Sequence, residues 1–293
     1  MSSSKHHHHH SETGGQKKAR KILAFFLFLV ISGLSLSLCL RGSVVSKGAV
    51  IDALTSDTYV SGVYKSVTDY SRDLCDECSI PYDGVKKAVT YDKIYKIQEA
   101  YYNGMFSASD SFTETTYQDY IASLGEDLNK ATAETVKAYN LKVEGDSKKA
   151  CAAFSKKVTD YVYSVTELSL TNSLKAVVTM GGIATVAAAI GFALIALVLI
   201  LIIVSIGSST YRALRNISHS LYASALLNIL LVLGVTGVKH FKTLVLYPDY
   251  LSKAIMQYVN NSLLSVSVSS AFLFILALCL TAVVWNIKKN ENS

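Results

Sequence analysis

Four stretches of this chain, residues 22–40, 176–206, 221–238 and 263–287, contain no Asp, Glu, Lys or Arg. Each reaches the ~18–20 apolar residues that a helix needs to cross a bilayer. Main-chain N–H and C=O groups inside lipid must be satisfied within the segment, so runs of this length read as helices. A mean hydropathy of +0.32 over 293 residues, 51% of them hydrophobic, is too apolar for an ordinary soluble domain. The fold class is therefore an all-α membrane protein with four transmembrane helices.

The formal charge of +6 raises nucleic acid as a partner, and its placement removes that reading. Between Gly42 and Lys175, 15 Lys and Arg stand against 19 Asp and Glu, so the basic excess belongs to the segments flanking the apolar runs. Nucleic acid is not expected to bind; membrane lipids with anionic headgroups are the expected counterpart. Lys17, Lys18, Arg20 and Lys21 crowd the start of the first run, which places the N-terminus in the cytoplasm. The loop carrying Lys239, Lys242 and Lys253 against Asp249 runs counter to the same rule. The first run exceeds the 7–15 residues usual for a signal peptide and lacks a small-x-small cleavage site, so it reads as an uncleaved anchor.

The expected organisation follows. Residues 1–21 form a disordered cytoplasmic tail, with His6 to His10 read as an expression tag or flexible tail and set aside. Helix one spans 22–40, a helical extracytoplasmic domain 41–175, and helix two 176–206. A cytoplasmic loop covers 207–220, helix three 221–238, an outer loop 239–262, helix four 263–287 and a cytoplasmic tail 288–293. The localisation expected is the cell membrane, multi-pass, with both termini cytoplasmic.

Within 41–175, apolar and tyrosine side chains recur at helical spacing. Val60, Val63, Tyr64, Val67, Tyr70 and Leu74 make one stripe, Tyr91, Ile94, Tyr95 and Tyr102 a second, Tyr117, Tyr120, Ile121, Leu124 and Leu128 a third, and Val158, Tyr161, Val162, Val165 and Leu168 a fourth. Neither Pro nor Gly interrupts the chain between Gly145 and Gly181, so the fourth helix is expected to run into the second crossing. The region holds 13 of the 18 tyrosines. Tyrosine joins an apolar body to a polar tip, and Tyr101, Tyr102, Tyr117 and Tyr120 are the candidate interaction surface; the plainer reading is that such residues pack a small, half-wet core.

The stretch RDLCDECSIPYDG carries Cys75 and Cys78 three apart, and Cys151 is the third cysteine of the region. Zinc is not expected, because no histidine occurs between Gly42 and Lys175. A redox pair would want a βαβ context that is absent. A disulfide and free thiols both remain open: Cys75 with Cys78, or either with Cys151, with the odd number leaving one thiol free or joined to another chain.

Inside the apolar runs, Asn228 stands well away from either end of its run and reads as a hydrogen bond between helices. Gly181, Gly182, Ala184, Ala188 and Gly191 concentrate in one half of the second run, where small side chains let another crossing, or a second copy, approach closely. No nucleophile–base pair, phosphate loop, metal motif or framed acid pair is recognisable, so neither a catalytic residue nor a cofactor is expected.

The order SIPYDGVKKAVTYDKIYKIQEAYYNGMF, a helical stretch, a helix entering the membrane, YRALRNISHSLYASALLNILL and a final anchor resembles uncharacterised four-crossing membrane proteins of Gram-positive bacteria. The resemblance covers most of the chain after Lys17 and implies an extracytoplasmic ectodomain without known catalytic residues. The expected function is that of a non-enzymatic envelope protein whose helical ectodomain binds a protein or cell-surface component. An envelope protein or a second copy is the expected partner. An accessory subunit of a transport or export complex, and an enzyme acting on lipid or wall substrates at an unrecognised site, are the alternatives.

Overall fold

The structure is a computed structural model that describes residues 14–106, 110–142, 145–167, 171–206, 210–238 and 248–291. Every element among the described residues is helical. They are α1 (Gly14–Cys39, followed by a widened π-type turn, Leu40–Val44), α2 (Lys47–Leu54), α3 (Asp57–Glu77), α4 (Tyr82–Ala88) and α5 (Tyr91–Met105). After them come α6 (Asp110–Ala138), α7 (Ser147–Thr166), α8 (Thr171–Ile206), α9 (Thr210–Gly237) and α10 (Asp249–Glu291). Among the described residues, four stretches are long and apolar enough to cross a membrane: Gly14–Val44, Ser147–Ile206 with its apolar part in α8, Thr210–Gly237 and Asp249–Asn290. The chain divides into two compact units, one of Met1–Val44, Gly181–Lys242 and Asn260–Ser293, the other of Val45–Met180 and Thr243–Val259.

The first unit is the four-helix one. Its small core joins Leu27 and Ile31 of α1, Ile203 of α8, Leu221 of α9 and Leu273 and Ala277 of α10. Its outside is oily, with Phe25, Ile190, Leu194, Leu230, Phe272 and Trp285 all exposed. Hydrocarbon adds no hydrophobic drive between such helices, so hydrogen bonds and close approach carry more of the association.

Hydroxyls supply those bonds. The Ser220 hydroxyl donates to the Ala24 carbonyl (2.7 Å) and that of Ser224 to the Phe28 carbonyl (2.8 Å), so both numbers rise together and α9 runs parallel to α1. Between α1 and α10 the numbers run oppositely: Ser35 meets Ser269 at 2.7 Å, and the Cys39 thiol lies 3.6 Å from the Ser265 carbonyl. The start of α1, the start of α9 and the end of α10 therefore share one end of the unit. Lys17, Lys18, Arg20, Lys21, Arg212, Arg215, Lys288 and Lys289 all gather there.

Gly33 on α1 permits a close approach in this unit. A Cβ there would stand 2.7 Å from Cζ of Phe192 on α8.

Several boundaries differ from the sequence reading. The tail drawn as disordered over 1–21 is helical from Gly14, since Lys17, Lys18 and Lys21 are good helix formers that prolong α1 beyond its apolar part; residues 1–13 lie outside the described part. The segment drawn as a loop up to 220 is helix from Thr210. Ala213 is buried there, and Ser218 donates to the Ala277 carbonyl at 3.0 Å. The loop drawn over 239–262 is helix from Asp249, and the tail drawn over 288–293 continues α10 through Glu291.

The second unit closes around a core drawn from α3 (Val60, Val63, Val67), α5 (Ile94, Ile97), α6 (Leu124, Leu128) and α7 (Val158, Val162). Side-chain caps begin four of its helices: Ser46 accepts from the Ala49 N–H, Ser56 from Tyr59, Thr90 from Lys93 and Asp146 from Lys148. The first part of α10 joins this core through Ala254 and Tyr250. Tyr250 lies over Gly62 of α3, where a Cβ would collide with its side chain, and its ring stands 5.4 Å from that of Tyr59.

The fourth helix does not run unbroken into the membrane segment. α7 ends at Thr166, and Glu167 turns extended (φ −77°, ψ 90°). The Thr166 carbonyl, which a continuing helix would use internally, accepts the Tyr102 hydroxyl at 3.2 Å. Leu168, assigned to the fourth stripe, lies outside the described residues.

Candidate binding cavity

Tyr101 and Tyr102 are neighbours on α5, and the helix turns about 100° between successive residues, so the two side chains have different fates. Tyr102 is wholly buried (0% exposed), its hydroxyl donating to the Thr166 carbonyl and so accepting from that of Tyr59 at 3.0 Å. Beside it the Gln98 amide donates to the Thr166 hydroxyl (2.7 Å), which donates in turn to the Val162 carbonyl (2.8 Å). This network anchors the end of α7. Tyr102, expected on an interaction surface, is therefore corrected to a core residue.

Tyr101 faces an open cavity of about 290 Å3. Gly104 and Met105 extend its α5 wall, Tyr117 and Gln118 supply the α6 wall, and Tyr163 with Glu167 comes from the end of α7. Thr171, Asn172 and Lys175, from the first turns of α8, complete it. The rings form a continuous series, Tyr101 to Tyr117 at 5.1 Å and Tyr117 to Tyr163 at 5.8 Å, continued inward from Tyr101 to Tyr102 at 5.2 Å. Tyr120, the fourth residue expected on the surface, is 39% exposed and does not line the cavity.

The lining includes one acid and one base. The carboxylate of Glu167 sits at the carboxyl end of α7, where helix carbonyls concentrate negative potential. Lys175, on α8, brings the opposite charge to the same lining. No ion pair joins Glu167 to Lys175 among the described contacts. Burial first, then the Glu167 charge, pushes the Tyr117 phenol up; burial and Glu167 also raise Tyr101, with the Thr171 hydrogen bond opposing. The Tyr117 hydroxyl is buried without a well-formed hydrogen bond, and the Thr166 hydroxyl beside it is already engaged with Gln98 and Val162.

Sequence reasoning finds Tyr101 and Tyr117 and misses Tyr163, Glu167, Thr171 and Lys175. The signal available for these four is their repeat of four residues along one helical stretch.

The cysteines lie elsewhere in the same unit, and all three are free thiols in this structure. Cys75 is buried, and burial, reinforced by Cys78 and Asp76, pushes its thiol up to about 12. Cys78 is exposed, and it shares with buried Cys151 the wall of a second cavity of about 720 Å3, otherwise lined mainly by residues such as Leu74, Ile80, Val136, Leu141 and Phe154. Among the described residues no group of His, Cys, Asp and Glu is placed to hold a metal.

In the four-helix unit, Asn228 donates to the Ser35 hydroxyl at 2.9 Å. Of the small residues on α8, Gly182 is buried and Gly181, Ala188 and Gly191 are half-buried. Ala184 is exposed, and a Cβ on Gly191 would meet open space. Among the described residues, no other helix closes on Gly191.

The buried phenols make the second unit sensitive to alkali. Tyr59 is pushed up to about 12, chiefly by burial with the Tyr102 hydrogen bond opposing, and Tyr102 is raised well above 10.0. A folded value above the unfolded one gives stability that is complete below pH 10 and is lost as pH rises toward 12. Alkaline titration followed by tyrosinate absorbance and circular dichroism should show these phenols ionising together with loss of helix; early ionisation with the helix intact would refute it.

In comparisons with known proteins, no family model matches this chain, and neither does any curated protein or solved structure.

Proposed function

We propose that this is a multi-pass cell-membrane protein of a bacterial envelope whose helical unit stands outside the cytoplasm and binds a protein or cell-surface component without catalysing a reaction. The observation that carries the reading is the open cavity edged by Tyr101, Tyr117 and Tyr163, in a unit whose other large apolar side chains are mostly core. Rigid aromatic side chains with polar tips give contact area at small entropic cost, which suits recognition. The gathering of basic residues at one end of the four-helix unit supports the orientation, since cytoplasmic flanks carry the Lys and Arg excess. The helical unit follows α1 in the chain, and an N-terminus held inside by that basic flank puts it outside.

One experiment on intact cells tests both parts. Cys78, exposed, should react with a membrane-impermeant maleimide in sealed cells, and a Cys78→Ser control should not. A photo-cross-linking residue at Gln118, on the cavity wall, should capture a discrete envelope component, and Tyr163→Ala should abolish the adduct. Labelling only after the cells are opened refutes the orientation. Adducts with lipid alone refute the binding role.

A further inference from the structure

We infer that the cavity between α5, α6, α7 and α8 is a subsite for a small zwitterion, a molecule with a free ammonium and a free carboxylate, of the kind presented by an amino acid or a short peptide. The inference rests on the binding role proposed above and names the chemistry the cavity recognises.

The cavity lining carries one acid and one base, Glu167 and Lys175. The Glu167 carboxylate, beside Tyr163 and Tyr117 in that lining, presents negative charge. An ammonium is stabilised there by the acid and by the rings. Lys175, on α8, presents an ammonium, which suits a carboxylate. Among the described contacts, Glu167 and Lys175 do not neutralise each other by an ion pair. A ligand with a single charge would pair with one of the two residues and meet like charge on the other. A ligand with both satisfies the two together.

Size and polarity narrow the class. A volume of about 290 Å3 is at the small end for ligand sites and admits an amino acid or a dipeptide. The ring series gives an apolar or aromatic side chain a surface to lie on.

The test uses the full chain in nanodiscs and calorimetric titration with L-phenylalanine and L-alanyl-L-alanine, each also in N-acetylated and C-amidated form. Saturable binding of at least one free zwitterion is expected. Either cap should weaken it about tenfold or more, the scale of one lost charge-assisted hydrogen bond. In Glu167→Gln the free ligand should bind about as weakly as the acetylated one, and acetylation should then cost nothing further; Lys175→Met should do the same for amidation. Preference for phenylalanine assigns the free amino acid as the source, and preference for the dipeptide assigns a peptide. Absence of binding by every probe, or capped ligands as tight as free ones, overturns the inference. The capped ligands decide the matter on the unmodified chain, independently of whether the variants fold. If the zwitterions fail while the Gln118 adduct persists, the ligand class is wrong and the binding role stands; if both fail, the role falls too.

Discussion

Tyr102→Ala is expected to destabilise the helical unit by about 3–5 kcal/mol, the usual cost of removing a buried aromatic side chain. Against a total stability of about 5–15 kcal/mol for a typical domain, that is the difference between a folded and a partly unfolded unit. Tyr102 has no exposed surface, and its ring stands among those of Tyr59 and Tyr101. Tyr102→Phe keeps the ring and removes only the hydroxyl, leaving the Thr166 carbonyl and the Tyr59 hydroxyl without that partner. The expected cost is about 1–3 kcal/mol, the range for stranding a buried polar group. Adding Tyr59→Phe to Tyr102→Phe should cost less than the two single changes summed, because the second removes a group the first has already orphaned. Thermal unfolding of the full chain in nanodiscs, followed by near-ultraviolet circular dichroism, reads all three variants. A Tyr102→Phe protein as stable as the parent would show that the α7 terminus does not depend on this hydroxyl.

Gly62→Ala is the second large effect, with an expected cost of about 1–3 kcal/mol from overpacking. The added Cβ collides with the Tyr250 side chain, so α3 and the first part of α10 cannot both keep their places. The change should be local in a measurable way. Amide hydrogen exchange should rise across 249–259 on α10, while the core of α3, α5 and α7 keeps its protection. Tyr250→Ala placed on top of Gly62→Ala removes the atoms struck and should recover part of the loss, although the same change alone is destabilising. Unchanged exchange over 249–259 in Gly62→Ala would mean that Tyr250 moves aside freely.

The all-helical class and four candidate crossings are legible because an uncharged apolar run leaves a chain few alternatives. The helix ends are not legible in the same way. A hydropathy reading registers what lipid solvates, and Ser218 and Ser220 bury their hydroxyls on carbonyls of neighbouring helices. Such serines look like loop and behave like seam. The break between α7 and α8 is equally silent, since no Pro or Gly marks it; Tyr102, 64 residues away in the chain, occupies the carbonyl involved. Periodicity likewise finds that tyrosines crowd α5 without telling which one faces the core. Tyr163, Glu167, Thr171 and Lys175 keep a helical repeat, but nothing in the repeat tells that they line a cavity with Tyr101 and Tyr117.

The hydroxyl seam between α1 and α9 also bears on how their register is chosen. Ser220 and Ser224 both reach main-chain carbonyls, and each does so on the residue 196 positions earlier. Carbonyls repeat along α1 at every turn, so a slide of one turn would offer each serine a chemically identical acceptor. Those two rungs hold the helices together without distinguishing one alignment from the next. Asn228 is different because its partner is a side chain: the amide meets Ser35, and Ser35 meets Ser269 on α10. A displaced α9 would find no equivalent hydroxyl pair, so one amide serves as the detent that gives three sliding rods a single setting.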